Sequence, residues 1–149
     1  MNIANIHWPD TLWYLPEWDT WAQLHDDGTA TVGITQLGIE LSREFYMCRP
    51  KPLGTVVEQG RSIAVAELAK SVVSVKTPVS GEVIALNTAL EDQPNLPFQD
   101  PYGQGWLARI RLSRWAEDVA ALKQGPAIES DVRQRMVLYR LLPLDGADA

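Results

Sequence analysis

A chain of 149 residues with 46% hydrophobic and 21% charged residues has room for one domain with a real core. The net charge is -6, no run of Lys and Arg builds the basic face that phosphate neutralisation needs, and no apolar stretch approaches the ~18 residues of a membrane span, so nucleic acid and membrane are not expected partners. The chain does not open on a basic stretch followed by an apolar one, and Cys48 is its only cysteine; the expected location is the cytoplasm, where thiols stay reduced.

The first 21 residues hold Trp8, Trp13, Trp18 and Trp21, with Pro9 and Pro16 interrupting any helix. This reads as a surface segment pinned to the core by aromatic anchors, with a docking surface as the other reading. Asp27-Gly28 turns into a strand from Thr29 to Ile34, and Thr35 caps a short helix through Leu41 that Gly38 weakens. From Phe45 to Leu86 short strands alternate with Pro50, Pro52, Gly54, Gly60, Pro78 and Gly81. A run from Ser62 to Glu67 puts Ile63 and Val65 on one face, and a run from Val72 to Thr77 puts Val73 and Val75 on one face before Pro78 stops it. Only a turn fits between them, and it carries Lys70. A faint internal echo links Gly54-Thr55-Val56-Val57 with Gly81-Glu82-Val83-Ile84 on either side of that turn.

A polar loop from Glu91 to Gly105 leads into a strand over 106–112, with Trp106, Ala108, Ile110 and Leu112 inward and Arg109 and Arg111 outward. Ser113 suits an N-cap for a helix through Trp115, Val119 and Leu122 that Gly125-Pro126 ends. A second helix is predicted from about Ser130 to Leu142, with Val132, Met136 and Tyr139 on a broad apolar face. The expected fold is mainly β, a small sandwich or barrel followed by C-terminal helices. Its expected organisation is one domain over residues 1–125 with a helical extension, 126–149, docked on it.

Lys70 is the residue of greatest chemical interest. A lysine at a hairpin tip is held by rigid strands yet points into water, which suits a covalently attached arm. Lys76 is its rival but lies inside the return strand. Cys48 stands beside Arg49, and a nearby cation lowers a thiol pKa; the plainer role is a small core residue. His7 and His25 are too far apart in sequence, with no second cysteine, to suggest a metal site. No Ser-His-Asp set stands out, and Gly103-Gln104-Gly105 precedes a strand, not a helix, so it is no phosphate loop.

The ordered set of segments resembles the H protein of the glycine cleavage system. Glu67-Leu68-Ala69-Lys70 stands where that family reads Glu-Ser-Val-Lys, followed by the return strand Pro78-Val79-Ser80-Gly81-Glu82-Val83. Asp27 to Thr35, Gly54 to Gly60, Asn87 to Asp92 and Asp100-Pro101-Tyr102-Gly103-Gln104-Gly105-Trp106-Leu107 match in the same order, over roughly Gly28 to Leu122. The resemblance implies the barrel-sandwich hybrid of lipoyl and biotinyl domains (a hammerhead), whose modified lysine lies between two related halves. It implies covalent lipoate on Lys70, recognition of Glu67 by a lipoate ligase, and a cofactor carrier in place of an enzyme. Partners so implied are a lipoate ligase or lipoyl synthesis enzymes and dihydrolipoamide dehydrogenase. Biotin is disfavoured, because Ala69 and Ser71 stand where biotin carriers have methionines.

The chain also departs from the glycine-cleavage pattern. Leu68-Ala69 replaces Ser-Val before the lysine, Val73-Ser74 replaces Ser-Asp after it, the early His-Glu-Trp segment is altered around Glu17 to Trp21, and the C-terminal segment looks foreign. With the framework kept and the surroundings of the arm rewritten, the chain most resembles the H-protein-like lipoate-binding proteins of sulfur oxidation. The implied function is to shuttle sulfur-containing intermediates and electrons for a heterodisulfide-reductase-like complex. The alternatives are a glycine-cleavage H protein carrying an aminomethyl group, an unmodified lipoyl-like structural module, and an enzyme using Lys70 as a Schiff-base nucleophile, which a hairpin tip desolvates too little to favour.

Overall fold

The computed structural model describes residues 1–42 and 45–139, and strands carry the fold. A small hairpin, β1 (Asn2–Ile3) and β2 (Ile6–His7), opens it. β3 (Trp13–Leu15), β4 (Thr20–Leu24) and β5 (Thr29–Ile34) form an antiparallel meander that hands over to α1 (Gln36–Ser42). β6 (Met47–Pro50), β7 (Val56–Val57), β8 (Ser62–Glu67), β9 (Val72–Lys76) and β10 (Gly81–Leu86) follow, divided by the Pro and Gly turns. The one-turn helix α2 (Leu96–Gln99), β11 (Ala108–Leu112), the one-turn α3 (Trp115–Asp118), β12 (Lys123–Gln124) and α4 (Glu129–Leu138) complete the described chain.

Two open sheets face each other. The larger has the order β12-β3-β4-β5-β11-β10-β7 and the smaller β6-β8-β9. One buried cluster joins Ala22, Val32, Val83 and Ile110 of the first to Cys48, Ala64, Ala66 and Val75 of the second, which is the expected mainly-β sandwich without closure into a barrel. The two echoed segments pair with each other, Val56 with Glu82 and Val57 with Gly81, so the turn bearing Lys70 lies between two joined, related strands.

The aromatic anchors of the Trp-rich start hold, in Trp8 and Trp21, and the segment goes further than a surface one: its β3 and β4 are strands of the larger sheet. Trp8 and Trp21 are buried in a second cluster with Tyr14, Leu37, Ile128, Val132 and Met136; Trp18, by contrast, is 48% exposed. Trp21 lies flat over Gly33, where any Cβ would overlap its indole ring. Its Nε1 donates to the carbonyls of Ile34 and Pro101, each at 3.1 Å. The Tyr102 hydroxyl donates to the His7 carbonyl at 2.8 Å and accepts from the Gln36 backbone N–H at 3.0 Å. The Asp-Pro-Tyr-Gly run is therefore a staple that ties the first strands and α1 together.

Three local expectations change. A register shift between Ser62 and Ala64 turns Ile63 inward beside Ala64 and Ala66 and leaves Val65 outward, because a bulge resets the alternation. The strand predicted over 106–112 begins at Ala108; Trp106 is held in the loop by the Asn87 amide, which donates to its carbonyl at 2.8 Å, and it and Leu112 are only half-buried. The helix after Ser113 starts at Trp115 without a side-chain cap, makes one α turn, tightens into a 3-10 turn through Ala121 and ends there, since Leu122 is extended and Lys123-Gln124 pairs with β3. Gly125-Pro126 thus opens the 3-10 turn into α4 instead of ending a helix. On α4 only Val132 and Met136 are buried while Tyr139, just past its end, is exposed, so the apolar face is narrow; positions 140–142 of the predicted helix lie outside the described residues.

Candidate functional site

Lys70 sits where the pattern predicts it, at the tip of the β8–β9 hairpin. The Leu68 N–H donates to the Ser71 carbonyl at 2.8 Å, so Ala69 and Lys70 form the projecting pair. Neither has a positive φ. Leu68 packs against the main core and anchors the turn, while Ala69, Lys70 and Ser71 are exposed. The Lys70 ammonium makes no hydrogen bond or ion pair with any described residue, so a group attached there disturbs nothing.

Alternation decides which flanking residues face out. Glu67 and Val72 are opposite each other and exposed, Val72 at 64%, whereas Leu68 and Val73 turn toward the core. The rewritten residues beside the lysine therefore alter the outer surface less than their sequence suggests. Glu67 leaves its carboxylate in water, and its carbonyl accepts from the Tyr46 N–H at 2.9 Å.

The other lysines are engaged or half-buried. Lys123 lies 2.6 Å from the Asp131 carboxylate, and Lys76 stands 5.7 Å from the centroid of the Trp18 ring while donating to the Ser74 hydroxyl at 3.1 Å. Lys51 is half-buried.

A groove of about 610 Å³ runs beside β9, lined by Glu17, Asp19, Phe45, Val73, Ser74 and Arg135 among others. Asp19 adopts a left-handed conformation (φ 59°, ψ 37°), and its carboxylate accepts two hydrogen bonds from Arg135, from Nε at 2.9 Å and from Nη2 at 2.6 Å. Both side chains are 17% exposed. Burial pushes the Asp19 carboxyl above the usual carboxylate range against the pull of Arg135. For Arg135 burial works downward, and the hydrogen bonds and charge of Asp19 override it and raise the guanidinium. No local pattern signals this groove, because Glu17, Ser74 and Arg135 meet only through the fold.

Cys48 faces inward from β6 and burial alone pushes its thiol up to about 12, so it stays protonated, and the neighbouring Arg49 does not activate it. Cys48 is therefore expected to resist a thiol-labelling reagent in the native protein and to react fully on unfolding; rapid labelling of the native protein would give it a role that its burial denies. His25 Nε2 lies 2.7 Å from the Thr31 hydroxyl and His7 stands edge-on to Tyr102. No group of three or more His, Cys, Asp or Glu among the described residues is placed to hold a metal, and no helix there is long and apolar enough to cross a membrane.

The family profile described as "Glycine cleavage H-protein" matches residues 12–135. The glycine cleavage system H protein of Cronobacter sakazakii is 43% identical over 128 residues, covering 86% of this chain and 96% of that protein. A probable glycine cleavage system H protein 2 of Saccharolobus solfataricus is 34% identical over 140 residues, covering 93% and 94%. The crystal structure of a glycine cleavage system H protein from Mycobacterium marinum superposes with a TM-score of 0.65 at 27% identity, over 76% of this chain and 97% of that one. With that breadth of match and the same sandwich fold, the chain belongs to the glycine cleavage H-protein family, lipoyl carriers that hold covalent lipoate on a lysine and do not themselves catalyse.

Proposed function

We propose that Lys70 is the lipoylated lysine and that its arm carries the aminomethyl group of glycine cleavage. The observation that carries the reading is the exposed ammonium of Lys70, without a partner among the described residues, on an anchored hairpin, against three other lysines that are half-buried or engaged. Bound lipoate supplies a dithiolane that accepts electrons and a one-carbon cargo. The chain supplies position. Nζ loses a proton and is acylated, which removes its charge; the strands hold the tip, and tethering raises the local concentration of the arm at each partner. Glu67, on the outer face beside the tip, offers the attaching enzyme a carboxylate to recognise. The groove beside β9 sets two carboxylates, Glu17 and Asp19, against one guanidinium, Arg135; that excess of one negative charge among its described residues suits a cationic aminomethyl cargo.

In this reading a lipoate ligase or lipoyl synthesis enzymes load the carrier, dihydrolipoamide dehydrogenase reoxidises it, and the cytoplasm houses it. The carrier domain is then residues 1–125 and its extension 126–149, of which the described part, 126–139, is seated through Ile128, Val132 and Met136.

The order of the two pathways thus reverses from the sequence reading. Relatives bearing the glycine-cleavage name span nearly their whole length, and Leu68 and Val73 face the core, so less of the surface is rewritten. Sulfur oxidation with a heterodisulfide-reductase-like complex stays second, favoured by Ser74 in the groove wall where the glycine-cleavage pattern has Asp. The test is reconstitution. The lipoylated protein is expected to support glycine decarboxylation with purified glycine-cleavage enzymes, and deletion of its gene is expected to spare oxidation of thiosulfate. The opposite pair of results establishes the second reading.

A further inference from the structure

We infer that the free edge of β9 is a docking strand, and that the enzyme acylating Lys70 adds an extended segment of its own there as a fourth strand of the β6-β8-β9 sheet. The inference rests on Lys70 being the attachment site. Among the described residues β9 pairs only with β8, and no backbone bond outside that ladder reaches residues 72–76. Hydrogen-bonded and non-bonded pairs alternate along an antiparallel ladder. Leu68 and Ser71 are a bonded pair, so Glu67 with Val72 and Val65 with Ser74 are non-bonded pairs. The N–H and C=O groups of Val72 and Ser74 then point away from β8. The other side of β8 agrees, since the carbonyls of Ile63 and Glu67 accept from Lys51 and Tyr46, toward β6.

Exposed edges are ordinarily blunted by proline, charge or a bulge. From Val72 to Val75 this edge has none of them, and its charged residue, Lys76, lies at the far end over Trp18. The open groove lined by Val73, Ser74 and Val75 leaves space alongside, where an added strand would lie about 4.8 Å away. The occupant follows from chemistry. Whatever the cargo, the unmodified ammonium of Lys70 must enter one active site, that of the enzyme forming its amide, and Val72 is two residues from it. Pairing by backbone does not depend on the side chains of Leu68, Ala69, Val73 and Ser74, the positions that differ from the family pattern, and leaves the exposed Glu67 carboxylate free to be read as well.

The test uses the full chain with a lipoate ligase, lipoate and ATP. Wild-type protein should gain one lipoyl group at Lys70; no gain, or gain at another lysine, overturns the attachment site itself. Ser74→Pro removes an outward N–H, a change that edge strands tolerate. It is expected to keep its melting transition and to lose at least tenfold in kcat/KM for lipoylation, chiefly through KM. Ser74→Ala keeps the N–H and should retain the wild-type rate. With Lys70 modified normally, a wild-type rate for Ser74→Pro, or an equal loss in Ser74→Ala, overturns strand pairing. Should Ser74→Pro unfold, hydrogen exchange of the wild-type chain decides. The Val72 and Ser74 amides should gain protection when the ligase is added without ATP. Unchanged exchange there, or full protection in the carrier alone from a second copy, overturns the proposal.

Discussion

Lys70→Arg is expected to abolish lipoyl loading completely and leave the fold untouched. The substitution keeps a positive charge at an exposed turn position where the ammonium has no partner among the described residues, so stability should change by less than about 0.5 kcal/mol. The chemistry is what changes. A guanidinium stays protonated under all working conditions and offers no free amine to acylate. Intact mass after incubation with ligase, lipoate and ATP should show one added lipoyl group on wild type and none on the variant, with identical melting. A lipoylated peptide containing Lys76 or Lys51 would remove Lys70 from its role. Lys76 is the stricter rival, since its ammonium already sits against Trp18 and the Ser74 hydroxyl.

The hairpin was readable because every signal for it is local. Alternating β-branched residues, one short gap and Pro78 define two strands and a turn without knowledge of the rest. The same is true of β5 and of the helix start at Thr35, whose hydroxyl accepts the Gly38 N–H at 3.1 Å. Gly38 shows the limit of such reading. As a local signal it weakens a helix, but in the fold it lets α1 lie against Asp19 and Ile34, where a Cβ would overlap both. Tertiary pairing also defeats propensity at Leu122 to Gln124, where an open edge of β3 draws the chain out of a helix. The bulge at Ile63 was invisible for a related reason: one extra residue on one strand changes which side chains face in without changing composition. The Asp-Pro-Tyr-Gly run, so useful for placing the chain in a family, contributes packing and hydrogen bonds far from the lysine in sequence and supplies no group to the tip. Family recognition and site recognition therefore drew on different residues.

Arg135→Leu is expected to destabilise the protein by about 3 kcal/mol at neutral pH, the lower end for removing one partner of a buried pair. That corresponds to a fall in Tm of roughly 6–12 °C for a chain of this size. The variant leaves the Asp19 carboxylate desolvated without the two hydrogen bonds that now hold it. Burial already raises this carboxyl, and losing the guanidinium raises it further. A carboxyl whose folded pKa exceeds its unfolded one binds protons more readily in the folded state. The variant must then recover stability as pH falls through the raised folded pKa toward the ordinary 3.8. The deficit against wild type should be full at neutral pH and narrow on acidification. Asp19→Asn in the Arg135→Leu background should recover much of the loss at neutral pH, because Asn removes the buried charge and tolerates the left-handed backbone at this position. Urea unfolding at pH 7 and pH 5 separates the causes. A deficit that is flat with pH, and not recovered by Asn, would assign the loss to the packing of the arginine stem and its contact with the Tyr139 ring. A pH-dependent one assigns it to the ion pair that fastens α4 to the wall of the groove beside β9.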